Sequence, residues 1–342
     1  MRTMSFIPPE APFDPLSPSL SDSFGRKIDY LRVSVTDQCN ERCLYCRPAS
    51  YRGWSPRPEH LTATEFIQII RVAVENGIRH VRLTGGEPLL RSDLLEIARG
   101  TGALPGLQSL SLSTNGTLLA STANPLKEAG VTSVNLSLDA LQPELYHRVT
   151  GGNMQEFLAG FRAALSAGFT QVKLNCVLLR NLNEPELRPL VNFAAEHNVP
   201  IRFIELMPLT LTTEPREHLF LPVREAWHLL GGDQNLTPLP DFPGGRGPAK
   251  YYRDRVSGAV IGLIGAITAP DFCASCNKLR LTADGKVRPC LGRHGEIDIR
   301  QELRHGSGNV GELLREAVAQ KPKDHEFLAG YVPSRPMTAL GG

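Results

Sequence analysis

Short runs of β-branched and other apolar residues recur along the chain, each ending in a Gly or Asn turn and each followed by a longer stretch with apolar positions three and four apart. The short runs lie at 30–36, 80–84, 107–113, 133–138, 171–177 and 201–206, and the longer ones at 62–76, 94–100, 117–129, 154–167 and 185–197. Period-two runs are strands and period-3.6 runs are helices, so the pattern predicts an α/β fold with a parallel sheet. Six such units predict an incomplete (β/α)6 barrel of the TIM type, in which functional groups gather where strands end and loops begin. After 206 the rhythm breaks. Residues 208–249 are rich in Pro and Gly and read as a linker or mobile loop around one helix near 223–230. Beyond it, short strands near 250–253, 260–264 and 279–282, the turn Ala283-Asp284-Gly285 and a helix from about 311 predict a C-terminal α+β domain that closes the barrel's open side. The expected division is a flexible tail at 1–24, the barrel at 25–235, the second domain at 236–325 and a C-terminal tail at 326–342, whose Pro-containing end predicts a frayed terminus.

Length and composition change this picture little. A chain of 342 residues suits one large or two moderate domains, and 41% hydrophobic with 21% charged residues is ordinary globular composition. The charge balance is more telling. With 37 basic and 35 acidic residues the net charge is +2, so nothing asks for nucleic acid; an anionic partner has to be met by a local basic cluster, and a small phosphorylated ligand fits best. No stretch approaches the ~20 apolar residues that span a bilayer, which predicts no membrane association. Arg2 is the only basic residue among the first 24, against Glu10, Asp14 and Asp22, which resembles neither a signal nor a transit peptide. The expected location is the cytoplasm.

Seven cysteines stand at 39, 43, 46, 176, 273, 276 and 290. Their odd number and tight clustering argue for metal sites in a reducing compartment rather than a disulfide framework. Cys176 lies in the apolar run Val172-Lys-Leu-Asn-Cys-Val-Leu-Leu179 and reads as a small core residue. Cys39, Cys43 and Cys46 allow one loop to wrap a [4Fe–4S] cluster while leaving one iron without a protein ligand, which suits a cluster that binds something. A zinc site needs a fourth ligand there, and no His is nearer than His60. Cys273, Cys276 and Cys290 form a second set beside Lys278 and Arg280; an open iron flanked by cations suits an anionic, nitrogen-bearing ligand, while His294 offers an alternative Cys₃His zinc site. At the end of the second strand stands Thr84-Gly85-Gly86-Glu87-Pro88, where paired glycines let a backbone approach a ligand's amino or carboxylate group.

The three-cysteine loop after the first strand and GGEP after the second resemble the radical S-adenosylmethionine superfamily. That resemblance implies that S-adenosylmethionine binds the open iron and is reductively cleaved to a 5′-deoxyadenosyl radical, with Tyr45, Gly86, Ser137 and Met207 around the cofactor. Read alone, Ser137 is equally a strand-end cap and Met207 equally a core residue. Further on, Gly247-Pro-Ala-Lys-Tyr251-Tyr252, the second cysteine hairpin, Lys321-Pro-x-x-His325 and the terminal Gly341-Gly342 resemble the GTP 3′,8-cyclase family of molybdenum cofactor biosynthesis. This implies two [4Fe–4S] clusters with GTP between them, hydrogen removal from ribose C3′, and ring closure onto guanine C8 to give (8S)-3′,8-cyclo-7,8-dihydroguanosine 5′-triphosphate. By the same resemblance GTP meets Arg32, Arg82, Ser113, Lys173, Arg202, Lys278, Leu279 and Arg280, and catalytic roles fall to Arg280 and to Gly341 and Gly342. The implied partners are a flavodoxin or ferredoxin as electron donor, a downstream cyclic pyranopterin monophosphate synthase, and a second copy of the chain.

Four positions depart from the family pattern: Lys278 for Arg, Ser113 for Thr, His80 for Lys, and Gln38 for Arg. Two other readings stay open. One is a different two-cluster radical enzyme acting on a peptide or tetrapyrrole, although such enzymes usually carry more C-terminal cysteines and none follows Cys290. The other is an electron-transfer or zinc-bearing binding protein.

Overall fold

The computed structural model describes residues 19–47, 59–209, 216–243, 247–306 and 308–341. Six parallel strands, β1 (Tyr30–Ser34), β2 (His80–Thr84), β3 (Ser109–Thr114), β4 (Ser133–Ser137), β5 (Gln171–Val177) and β6 (Ile201–Ile204), lie in sequence order as expected for the partial barrel. Helices connect them. The helix Ala63–Glu75 shows why: Thr62 and Glu65 close a reciprocal capping box at its start, and Ala63, Phe66, Ile69, Ile70, Ala73 and Val74 bury one face at helical spacing.

The later strands are β7 (Leu236–Pro238), β8 (Lys250–Asp254), β9 (Val260–Ile264), β10 (Lys278–Leu281), β11 (Lys286–Arg288) and β12 (Ile297–Asp298). They do not form a sheet of their own. β10 joins β1 and β9 joins β6, both in parallel, and antiparallel β11–β12 and β8–β7 extend the two edges, giving one sheet in the order β12-β11-β10-β1-β2-β3-β4-β5-β6-β9-β8-β7. The reason is hydrogen-bonding: an open barrel leaves unpaired N–H and C=O rows on β1 and β6, and the C-terminal strands satisfy both. Among the described residues the main hydrophobic core runs from Leu20 to Val318, with two small satellite clusters beside it.

Several expectations are corrected. Residues 208–249 are more ordered than a linker, with short helices Arg216–Leu219, Val223–Leu229 and Gly232–Asn235 and strand β7; positions 210–215 and 244–246 lie outside the described residues. The sixth strand stops at Ile204 because Glu205 turns inward, where its carboxylate accepts from the backbone N–H of Val223 (2.9 Å), Ile267 (2.7 Å) and Thr268 (3.0 Å). Of the predicted N-terminal tail, Leu20 joins the core and Asp22 holds Arg26 (2.5 Å), while 1–18 lie outside the described residues. The predicted frayed end is instead a one-turn helix, Met337–Leu340, with Thr338, Ala339 and Leu340 buried. Among the described residues no helix is long and apolar enough to cross a membrane.

The helix Ile299–His305 is tied to Ala63–Glu75 by Arg304, whose Nε meets Glu65 Oε1 at 2.6 Å. Arg304, with help from Thr62, holds the Glu65 carboxyl down from 4.5 to about 2. A depressed carboxyl contributes stability that is present above pH 4.5 and lost as pH falls through about 2. Glu65→Gln is expected to lower unfolding free energy at pH 7 by about 1 kcal/mol, the worth of a screened pair plus a cap; in denaturant titrations the gap from the parent should narrow as pH drops below 4.5.

Candidate active site

Parallel register brings the barrel's polar side chains into rows. Lys278, Tyr30, His80 and Ser109 are neighbours across β10, β1, β2 and β3, and two residues on so are Arg280, Arg32, Arg82 and Ser111. Further round, Ser113, Asn135 and Lys173 pair across β3–β5, and Asn175 pairs with Arg202 across β5–β6. Side chains two apart in a strand share a face, so both rows point into the barrel. The result is a cavity of about 890 Å³ lined by Arg32, Arg82, Lys173, Arg202, Lys278, Arg280 and Lys321, with no Asp or Glu among the described lining residues.

Neutral acceptors orient these cations without cancelling their charge. Arg82 Nε donates to the Tyr30 hydroxyl (2.6 Å), and its Nη1 to Leu112 O (3.2 Å) and Ser113 Oγ (3.4 Å). Arg202 Nε donates to Asn175 Oδ1 (2.8 Å). The Asn135 amide, with its oxygen facing the guanidinium groups, accepts from Arg202 Nη2 at 2.6 Å and Arg82 Nη1 at 2.8 Å. Burial, reinforced by the neighbouring guanidinium groups, pushes Arg32 well below its ordinary range and Arg280 down to about 10. Burial opposes ionisation of Tyr30, yet Arg82, Arg32 and Lys278 around it hold its hydroxyl below the usual value.

Of the residues assigned to the nucleotide by resemblance, Arg32, Arg82, Ser113, Lys173, Arg202, Lys278 and Arg280 all line this cavity. Leu279 does not: alternation turns it into the core, fully buried, so its side chain is unavailable to a ligand. His80 also lies off the lining and hydrogen-bonds Ser109 Oγ at 2.8 Å. Tyr30, Asn135, Asn175 and Lys321 line the cavity without having been singled out as ligand contacts. Asn135 and Asn175 stand two residues from Ser137 and Lys173, so strand parity is the signal in the sequence that would have found them.

The first cysteine loop leaves the end of β1. It is pinned by Gly86 N to Thr36 O (2.9 Å) and Glu87 N to Gln38 O (2.6 Å), and a Cβ on Gly86 would sit 2.1 Å from Gln38 O. Only glycine permits that approach. Arg42 N and Leu44 N bond to Thr150 O (2.7 Å) and Val149 O (2.9 Å). Tyr45 donates its hydroxyl to Asp139 Oδ2 (2.7 Å), whose other oxygen accepts from Val177 N (2.7 Å), so Tyr45 and the Ser137-Leu138-Asp139 turn are joined to the loop. Glu87 closes the far side, accepting from Thr114 Oγ1 (2.7 Å), Asn115 N (2.7 Å) and Leu89 N (3.0 Å). Met207 lines the cavity and packs with Leu209, Phe327 and Tyr331.

Burial pushes the Cys39 and Cys46 thiols up to about 12 and Cys43 well above its ordinary value, with Glu41 and other acidic neighbours adding to the effect. Thiolates form in such surroundings only when strong positive charge lies among them, which is what an iron cluster provides. Among the described residues no three Cys, His, Asp or Glu side chains converge on a point that one metal ion would occupy.

The second triplet, Cys273, Cys276 and Cys290, lines the cavity itself. Lys321 Nζ donates to Lys278 O (2.8 Å) and Pro289 O (2.7 Å), bracing the segments that carry Cys276 and Cys290. Burial works against the Cys276 thiolate, but Lys321 and Lys278 outweigh it and hold that thiol below its ordinary value. His294, the alternative zinc ligand, stacks on Tyr331 with centroids 4.9 Å apart. The C-terminal tail enters the same region: Arg280 Nη1 donates to Leu340 O (3.3 Å) and Gly341 O (2.6 Å). Gly341 has φ +74°, and a Cβ there would lie 2.5 Å from Thr84 Cγ2. Gly342 lies outside the described residues.

A partial parallel barrel with a three-cysteine loop after its first strand defines a radical S-adenosylmethionine enzyme. Residues 33–194 match the model of the Radical SAM superfamily, and 199–327 match Molybdenum Cofactor Synthesis C. Among solved structures, Streptococcus suis SuiB bound to S-adenosylmethionine has the same fold at 15% identity and TM-score 0.57, covering 84% of this chain and 67% of that one. Native anSMEcpe with bound AdoMet does so at 16% and 0.58, covering 89% and 84%. The GTP 3′,8-cyclases of Pelotomaculum thermopropionicum and Moorella thermoacetica are 41% and 42% identical over 328 residues, 94% of this chain and 100% of each relative. That of Listeria welshimeri is 39% identical over 312 residues. The chain belongs to the GTP 3′,8-cyclase family. As a radical enzyme of this superfamily it uses S-adenosylmethionine and an iron–sulfur cluster.

Gly86→Ala tests the loop's dependence on close approach. The added methyl forces Gln38 away and shifts the cysteines, so anaerobically reconstituted protein is expected to bind about half the parent's iron while its far-ultraviolet circular dichroism stays unchanged.

Proposed function

We propose that this chain converts GTP to (8S)-3′,8-cyclo-7,8-dihydroguanosine 5′-triphosphate, opening molybdenum cofactor biosynthesis. The observation that carries this reading is the cavity lined by seven cations and, among the described residues, no carboxylate, with a second cysteine triplet in its wall. A triphosphate brings the negative charge such a lining lacks, and Arg and Lys on different strands can meet its oxygens from several sides. Asn135, shared by Arg82 and Arg202, keeps both guanidinium groups aimed inward before the substrate arrives.

The second triplet holds a second [4Fe–4S] cluster, with residues 25–235 carrying the first and 236–325 the second. Cys273, Cys276 and Cys290 would hold that cluster, and when bound it would supply a Lewis-acidic site for the guanine, beside Lys278 and Arg280. The first cluster with S-adenosylmethionine supplies a carbon radical able to remove hydrogen from ribose C3′. The chain's own part is positional: with the triphosphate fixed at one end and the base at the other, C3′ and C8 of one molecule stay within reach of each other, and no second reactant has to be found. Met337 of the tail lines the cavity and Gly341, beside Thr84 and Ser34, is held by Arg280, so the tail helps keep water out. The working setting is the cytoplasm, with a flavodoxin or ferredoxin as reductant, a homodimer as the assembly, and cyclic pyranopterin monophosphate synthase as the consumer of the product.

Two outcomes follow. Binding measured anaerobically should fall from GTP to GDP to guanosine, and Arg82→Ala or Lys173→Ala should each weaken GTP about tenfold or more, because one charge-assisted hydrogen bond is worth roughly 1.5–3 kcal/mol. Guanosine affinity should hardly change. Deleting Gly341 and Gly342 is expected to abolish product formation while iron content stays at the parent's level; normal turnover by the truncated chain would sink the tail's role.

A further inference from the structure

A one-turn helix does not hold itself in place. Met337–Leu340 has four residues and no side-chain cap, so its position must be set by what grips it at either side. The inner grip is Arg280, on the carbonyls of Leu340 and Gly341. The outer grip is Arg335, immediately before Pro336, which opens the helix.

Arg335 meets two carboxylates: Asp284, in the turn after the strand that carries Arg280, and Glu296, directly before β12. Its Nη1 and Nη2 reach Asp284 Oδ1 and Oδ2 at 3.1 and 2.9 Å, Nη2 reaches Glu296 Oε2 at 2.9 Å, and Nε lies 2.8 Å from Glu296 Oε1. This is more than a surface ion pair. Asp284 sits in the tight turn between β10 and β11 and accepts from Thr282 Oγ1 (2.6 Å), while Glu296 also pairs with Arg288, which is fully buried. The planar fork is thus matched to carboxylates that are themselves fixed. Arg280 on β10 and Asp284 in the turn that follows it thus hold the tail from one segment, with Glu296 as a further anchor beside β12.

We propose that Arg335 is a positioning residue that sets how far the tail enters the barrel, and so where Gly341 stands against Thr84. Lysine in its place keeps the charge and loses the fork. The inference rests on the reading that the tail completes the active site, and its test separates the two.

The experiment compares the reconstituted full-length chain with Arg335→Gln and Arg335→Lys by hydrogen–deuterium exchange of C-terminal peptides and by steady-state kinetics. In Arg335→Gln, amides of 337–341 are expected to exchange at least tenfold faster and kcat to fall about tenfold or more, with KM for GTP within twofold. Arg335→Lys should lie between parent and Gln on both measures. Peptides from β1 to β4 serve as the folding control and should keep parental exchange in both variants. Unchanged exchange at the C-terminus of Arg335→Gln would overturn the proposal whatever the activity does. Faster exchange with parental kcat would uphold the anchoring but remove its role in turnover, and would also count against the tail as part of the active site.

Discussion

Concentrated positive charge inside the barrel is the constraint on which the rest of this structure depends. Seven lysines and arginines line one cavity, and no Asp or Glu is among its described lining residues. Burying ions costs on the order of several kcal/mol each, and like charges raise that cost. The fold meets it with neutral oxygen: the Tyr30 hydroxyl, the Asn135 and Asn175 amides and the carbonyl of Leu112 take up the guanidinium hydrogens. These acceptors orient the cations but leave the charge for a ligand. On the function proposed above, a polyanionic substrate would restore on binding the stability given up at this site.

The same economy of parts governs the sheet. β10 covers the open edge of β1, and in doing so brings Lys278 and Arg280 level with Tyr30 and Arg32. It also places Cys276 and Cys290 in the cavity wall and offers the tail its two carbonyl contacts. On the other side of the loop system, Gly86 lets the first cysteine loop descend onto the end of β2. Edge pairing, cationic lining, cysteine placement and tail contacts therefore share one hairpin and one glycine contact. A change at either is felt in more than one function.

Much of this was legible in the chain. The alternation of β-branched runs with helical stretches located the six parallel strands to within a few residues, and cysteine spacing marked both triplets. What failed to show was long-range. That β9 and β10 would extend opposite edges of one sheet depends on which unpaired strands remain open, which local pattern does not encode. Leu279 was grouped with Lys278 and Arg280 by adjacency, whereas alternation sends it to the core. The tail read as frayed because Pro and Gly are weak formers of structure; Arg335 and Arg280 hold it through contacts that span 39 to 61 positions. Asp139 and Glu87, the buried carboxylates behind the first loop, became visible only through their partners.

The most direct test of the account is to follow one hydrogen. Reconstituted protein is given S-adenosylmethionine, dithionite and GTP deuterated at ribose C3′, and the 5′-deoxyadenosine formed is weighed by mass spectrometry. The account predicts one deuterium in that product, together with the cyclised nucleotide. Unlabelled 5′-deoxyadenosine accompanied by cyclised product that retains its deuterium, or turnover without any 5′-deoxyadenosine, would contradict it.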